Sequence, residues 1–187
     1  MSEESPNAGV GTTLGSSDLT LPFSKIAELT VSAACAKVKG AKKKRLADVR
    51  LFDLVIQDQP NQGIYFFFAP DGCTCLYVGK NSSMQFTERL GMHFAVADES
   101  WQNHFLKAYK EHHKQQSLTS ALAHAGDCRL LLMPIMPTDD GLAAKAETFF
   151  RIFQEPLFNS LKSRRAQRAR ESIGADDRLL KAIDEIG

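Results

Sequence analysis

No stretch of this 187-residue sequence is apolar for long enough to cross a membrane, which takes about 20 consecutive apolar residues. The opening Met1-Ser2-Glu3-Glu4-Ser5-Pro6 is acidic and lacks the basic-then-apolar order of a secretory leader, so a cytoplasmic protein is expected. Cysteine is scarce. Cys73 and Cys75 form a lone C-x-C, while Cys35 and Cys128 stand apart. A structural zinc site needs a second close pair or suitably spaced histidines, so free thiols are expected instead. Net charge is nearly absent at +1, and overall charge gives no reason to expect nucleic acid. What remains, 43% hydrophobic and 24% charged residues, is an ordinary globular composition, enough for one domain with a core or a domain plus arms.

The charge that is present is unevenly placed. Lys37, Lys39, Lys42, Lys43, Lys44, Arg45 and Arg50 share one segment with Asp48 as its only acid. Lys162, Arg164, Arg165, Arg168 and Arg170 share another with no acid. Alone, such blocks read as solvated surface. Beside a nuclease signature they read as phosphate contacts, with Lys42, Lys43, Lys44, Arg45, Arg164, Arg165 and Arg168 as the candidates.

The centre of the chain carries the densest pattern. Gly63-Ile64-Tyr65 and Tyr77-Val78-Gly79-Lys80 flank an apolar run broken by Pro70-Asp71-Gly72, which predicts strand, turn, strand. A turn centred on Asp71 pairs Ala69 with Cys73, Phe67 with Cys75 and Tyr65 with Tyr77, and a bulge would shift this register by one. Alternation puts Ile64, Phe66, Phe68, Leu76 and Val78 on a core side and both tyrosines on the other. Ser82 and Gln85 then read as the capping box of a helix running to residue 95 or 97. Arg89 and His93, four apart, share one face of it, beside the apolar Phe86, Leu90 and Phe94.

Around this core, residues 1–20 are Ser-, Gly- and Thr-rich and are expected to be disordered. Residues 21–60 read as an N-terminal arm or a helix packing on the core, with a helix in 21–47 broken near Gly40 and a strand or short helix over 49–56. Residues 98–126 read as a helical insertion whose His104, His112 and His113 lie on a solvated surface. Residues 129–136 are the expected third strand and 142–155 a helix with Leu142, Ala146, Phe149, Phe150 and Phe153 on its apolar side. Residues 161–186 form a helical tail, basic and then amphipathic.

These motifs resemble the GIY-YIG nuclease family over residues 61–162. Gly63-Ile64-Tyr65 matches its first signature and Tyr77-Val78-Gly79 its second, with valine for the middle isoleucine. Arg89 and His93 match the arginine and histidine of its first helix. Glu147, Pro156 and Asn159 match its later glutamate, proline and asparagine. About 50 residues separate His93 from Glu147. Two rival acids, Asp139 and Asp140, fall in a loop where Asp140 reads as a helix cap. The resemblance implies an α+β fold: a small antiparallel or mixed three-stranded sheet flanked by helices, here with helical extensions at both ends. It implies a Mg²⁺- or Mn²⁺-dependent endonuclease, closest in pattern to the restriction-type branch.

The roles it implies are these. Glu147 is the one carboxylate for the metal, as one carboxylate plus waters commonly holds Mg²⁺. Arg89 clamps the scissile phosphate. Tyr65 activates water, with His93 accepting its phenolic proton. Tyr77 positions water or phosphate, Lys80 offsets charge, and Asn159 fixes the Glu147 region by hydrogen bonds. Two further readings keep the same residues: an interbacterial toxin with an immunity partner, and a non-catalytic nucleic-acid-binding module. A restriction-type double-strand cut needs two copies. Apolar residues of the segment from Leu21 to Val38 and of the tail from Leu179 to Ile186 are the expected material for a homodimer.

Overall fold

The computed structural model describes residues 19–55, 62–82, 84–97, 103–136 and 141–186. Four strands, β1 (Lys44–Arg45), β2 (Gly63–Phe68), β3 (Cys75–Asn81) and β4 (Arg129–Pro134), form one antiparallel sheet in the order β1-β4-β2-β3. The helices are α1 (Val31–Gly40), α2 (Phe86–His93), α3 (His104–His112), α4 (Leu118–Ala125), α5 (Leu142–Phe153), α6 (Arg164–Ser172) and α7 (Leu179–Ile186).

β2 is buried at every residue. Its side chains alternate between the two faces, so the sheet must be covered on both. One face carries Ile64, Phe66, Phe68, Val78, Leu131 and Met133 and is covered by α1, α5, α6 and α7. The other carries Tyr65, Phe67, Tyr77, Leu130 and Leu132 and is covered by α2, α3 and α4. The architecture is α+β, as expected. The sheet has four strands rather than three, because the basic pair Lys44-Arg45 hydrogen-bonds to β4 as a short edge strand. Nothing apolar in that pair marks it as a strand.

The hairpin register differs from the expected one. Tyr65 pairs with Gly79, Phe67 with Tyr77 and Phe68 with Cys75, with a bulge between Phe67 and Phe68. The turn causes part of the shift. The Asp71 carboxylate accepts from the Cys73 and Thr74 amides at 2.8 and 2.9 Å, so the loop closes between Ala69 and Thr74. The bulge adds one more residue, and the register moves by two in all. An even shift keeps both tyrosines on one face. Leu76 joins that face and Cys75 the opposite one, because the bulge interrupts alternation.

The other departures have local causes. α2 starts at Phe86 with Gln85 as N-cap and Glu88 closing the box, rather than at Ser82. β3 continues to Asn81, whose Nδ2 donates to the Met84 carbonyl at 2.5 Å and holds a turn there. The helix stops at His93, and the Ala95 and Ala97 carbonyls accept from the Asn103 amide instead. Residues 51–54 form a 3-10 turn. The insertion is two helices, α3 and α4, and the C-terminal tail is also two, α6 and α7. The break between α6 and α7 is tied by Gly174 N–H donating to Asp177 at 2.7 Å. Most of the expected disordered tail, and Asp139 and Asp140, lie outside the described residues. Leu19, however, is fully buried and its carbonyl accepts from Leu132.

The expected dimer material is spent within the chain. Leu21, Phe23, Ile26, Val31, Ala34 and Val38 are buried in one core with Leu179, Ala182, Ile183 and Ile186. Among the described residues, no helix is long and apolar enough to cross a membrane.

Candidate active site

The two motif glycines are places where the backbone leaves no room for a side chain. A Cβ at Gly63 would overlap the Met133 carbonyl on the neighbouring strand and lie 2.9 Å from the Pro134 Cα. A Cβ at Gly79 would overlap the Tyr65 ring and hydroxyl. The tyrosine therefore lies across its own register partner. Its ring stacks on Tyr77, with centroids 6.4 Å apart and planes 16° apart.

α2 closes over this pair. Phe86 and Leu90 are buried against the sheet, and the same face brings His93 edge-on to both tyrosines, 5.4 Å from Tyr65 and 5.1 Å from Tyr77. His93 is fully buried. Its Nε2 lies 2.5 Å from the Tyr65 hydroxyl. Burial, then the Arg89 charge and His104, push the imidazole down to about 3. It is neutral at pH 7, and in the tautomer protonated at Nδ1 its Nε2 accepts from the phenol; Nδ1 has no hydrogen-bond partner among the described residues. Burial drives the Tyr65 phenol well above its ordinary 10, with Tyr77 adding to the rise and Arg89 opposing it. Burial and then the Glu147 carboxylate raise Tyr77, against Arg89 and Arg151.

Glu147 reaches the site from the other layer, on α5, which packs beside β3. Burial raises its pKa, and Arg151, Lys80 and Arg89 in that order oppose the rise. Tyr65, Tyr77 and His93 are in mutual ring contact, and the charges of Arg151, Lys80 and Arg89 are near enough to act on the Glu147 carboxylate. Arg151 was not among the residues singled out from sequence. It stands one turn after Glu147, on the same helix face, and that spacing was the available signal. Its Nε donates to the Asn159 carbonyl at 2.9 Å.

Asn159 serves as an anchor. Its side chain accepts from the Val78 amide at 3.1 Å and donates to the Val78 carbonyl at 2.6 Å. Together with Leu157 N–H to Cys75 and Phe158 N–H to Leu76, it lays the segment after α5 along the edge of β3.

Among the described residues, no group of three His, Cys, Asp or Glu side chains is arranged to hold a metal. The single Glu147 carboxylate fits a hard ion that keeps most of its shell as water and substrate oxygen. It is partly buried, and it makes no hydrogen bond or ion pair within the described residues, so its oxygens remain available to an ion.

The two basic blocks differ. The first lies at the β1 edge, across the sheet from β3. Lys43 stacks on the Phe68 ring at 4.4 Å and donates to the Lys39 and Ala41 carbonyls. Lys44 pairs with Asp53 at 2.6 Å, and Arg45 with Asp48 and Asp127. Lys43, Lys44 and Arg45 of this block are thus held by protein partners. In the second block Arg164 and Arg168 are exposed on α6, Arg165 donates to the Ile186 carbonyl, and Arg170 pairs with Glu155. All four cysteines are free thiols. No family model, curated protein or solved structure matches this chain.

Proposed function

We propose that this chain is a metal-dependent DNA endonuclease of the GIY-YIG type, with a restriction-like role. One observation carries the reading: the phenol of the first motif hydrogen-bonds a neutral, buried histidine, His93, with an arginine, a lysine and a lone carboxylate around it. That is a proton-accepting chain, a phosphate clamp and a metal ligand in one place.

The directions of the two shifts bear on the proton path. Burial holds both groups in their neutral forms, lowering the His93 pKa and raising that of Tyr65. With both groups neutral at rest, a concerted transfer avoids charging either one beforehand. Water attacks phosphorus and gives its proton to the Tyr65 oxygen as Tyr65 gives its own to His93 Nε2, and the departing oxygen is protonated from solvent. Arg89 holds the non-bridging oxygens. Tyr77 orients the water or phosphate against the Tyr65 ring, and Lys80 offsets charge. Mg²⁺ or Mn²⁺ held by Glu147 would supply Lewis acidity to the phosphate. Arg151 and Asn159 position Glu147 and β3. Nicking or linearisation of plasmid DNA with Mg²⁺, suppressed in Glu147→Gln with DNA binding retained, is the expected result. Wild-type cleavage by that variant would overturn the assignment.

A further inference from the structure

We propose that Leu51 and Phe52, on the 3-10 turn beside α2, form an apolar wedge that stacks on DNA bases next to the cut; the choice of partner rests on the nuclease reading. They are the two most exposed large apolar side chains among the described residues, at 72% and 87%, and Val55 adds a third at 53%. Burying such side chains is favourable. Single exposed ones are ordinary, but three within five residues make a patch.

The turn is held in place by its own polar groups. The Asp53 carboxylate accepts from the Arg50 amide at 2.6 Å and pairs with Lys44 on β1 at 2.6 Å. Asp53 N–H donates to the Arg50 carbonyl at 3.0 Å. Leu54 is buried in the cluster that holds Tyr65, Tyr77, Phe86 and Leu90. With Leu54 committed to the core and Asp53 to Lys44, Leu51 and Phe52 are left on the outside. The Lys44 pair also offsets the one negative charge in residues 49–55, and Arg50 is exposed. The surface offered to a polyanion is apolar with a cation beside it.

The turn packs against α2, the helix that carries Arg89 and His93. That helix has 8 residues, so it is about 12 Å long, or roughly four base steps at 3.4 Å each. A duplex with a phosphate at Arg89 therefore brings base steps within reach of Phe52. Phe and Leu are among the side chains that wedge between such steps, and an aromatic ring stacks on any base. A second copy of the chain is the weaker occupant. An aromatic side chain carries about 150–250 Å², so the three side chains together expose on the order of 400 Å². That is about half of the roughly 800 Å² each partner buries in a stable dimer.

The test is fluorescence anisotropy of a short labelled duplex in EDTA, titrated across NaCl concentration, with wild type, Phe52→Ala and Phe52→Trp. Phe52→Ala is expected to bind on the order of 10-fold more weakly at every salt concentration, through the loss of one stacked base. Its salt slope should stay at the wild-type value, because no phosphate contact is removed. Phe52→Trp should bind as wild type does, and the emission of the indole placed at residue 52 should be quenched by DNA. Wild-type affinity in Phe52→Ala together with an unquenched indole overturns the wedge, and cleavage of plasmid DNA by the same variant with Mg²⁺ leaves the nuclease reading intact. Phe52-dependent stacking by a protein that never cleaves sinks the nuclease reading and supports the wedge. A dimer in sedimentation that Phe52→Ala dissociates, with DNA affinity unchanged, overturns DNA as the partner.

Discussion

Gly79 lies directly across the hairpin from Tyr65, and the space its missing side chain leaves is the space the Tyr65 ring occupies. A strand glycine normally weakens a sheet. Here it lets a tyrosine lie flat beside Tyr77 with its hydroxyl directed to His93. Gly79→Ala should therefore cost about 1–3 kcal/mol in urea unfolding, as overpacking does, and should displace the Tyr65 hydroxyl. Unchanged stability with unchanged cleavage would show that the ring can move at no cost.

Removing the hydroxyl alone separates chemistry from packing. Tyr65→Phe keeps the ring against Gly79 and Tyr77 and leaves His93 Nε2 without its partner. Single-turnover DNA cleavage should fall about 10²–10⁴-fold. Arg89→Ala should fall by a similar order through lost charge stabilisation. A normal rate for Tyr65→Phe would move the water-activating role to His93.

His93 also predicts a pH dependence of stability. Its folded pKa, about 3, lies below its unfolded value near 6.5, so the unfolded chain takes up the proton first. Stability from this group is full above about 6.5 and falls as pH drops toward 3, the loss being on the order of 2–3 kcal/mol at pH 4.5. Urea melts at pH 7 and 4.5 should show a loss larger by that amount in wild type than in His93→Gln. Equal losses in the two proteins would mean that His93 is not held neutral.

The two basic blocks should respond differently. Replacing Lys42, Lys43, Lys44 and Arg45 with Ala removes the Asp53 and Asp127 pairs and the stacking on Phe68. The expected effect is mainly on thermal stability, with little change in the salt slope of DNA binding. Arg164→Ala/Arg168→Ala removes two exposed charges and should lower that slope by about 1.8. The reverse pattern would restore the β1 edge as the DNA-facing side.

Some of this was legible before folding. Gly63-Ile64-Tyr65 and Tyr77-Val78-Gly79 predicted a hairpin because alternation and Pro70-Asp71-Gly72 are local signals. Arg89 and His93 were placed together because the helical repeat puts residues four apart on one face. A helix break near Gly40, where α1 ends, and a strand over 129–136, which forms over 129–134, were legible for similar reasons.

Other features depended on contacts between segments far apart in the chain. Local composition made Lys42 to Arg45 a solvated basic block; pairing with β4 made two of those residues an edge strand. The segments holding Leu21 to Val38 and Leu179 to Ile186 looked surplus to one domain, yet they cover the same sheet face as α5. Arg151, one turn after Glu147 in sequence, joined the candidate site when α5 packed beside β3. The hairpin register was set by the Asp71 turn and one bulge, each worth a single residue. Sequence determined which side chains lie together along one strand or helix, because that follows from backbone periodicity. The tertiary structure decided which charges remain available and which surfaces remain exposed, because both depend on what packs against them.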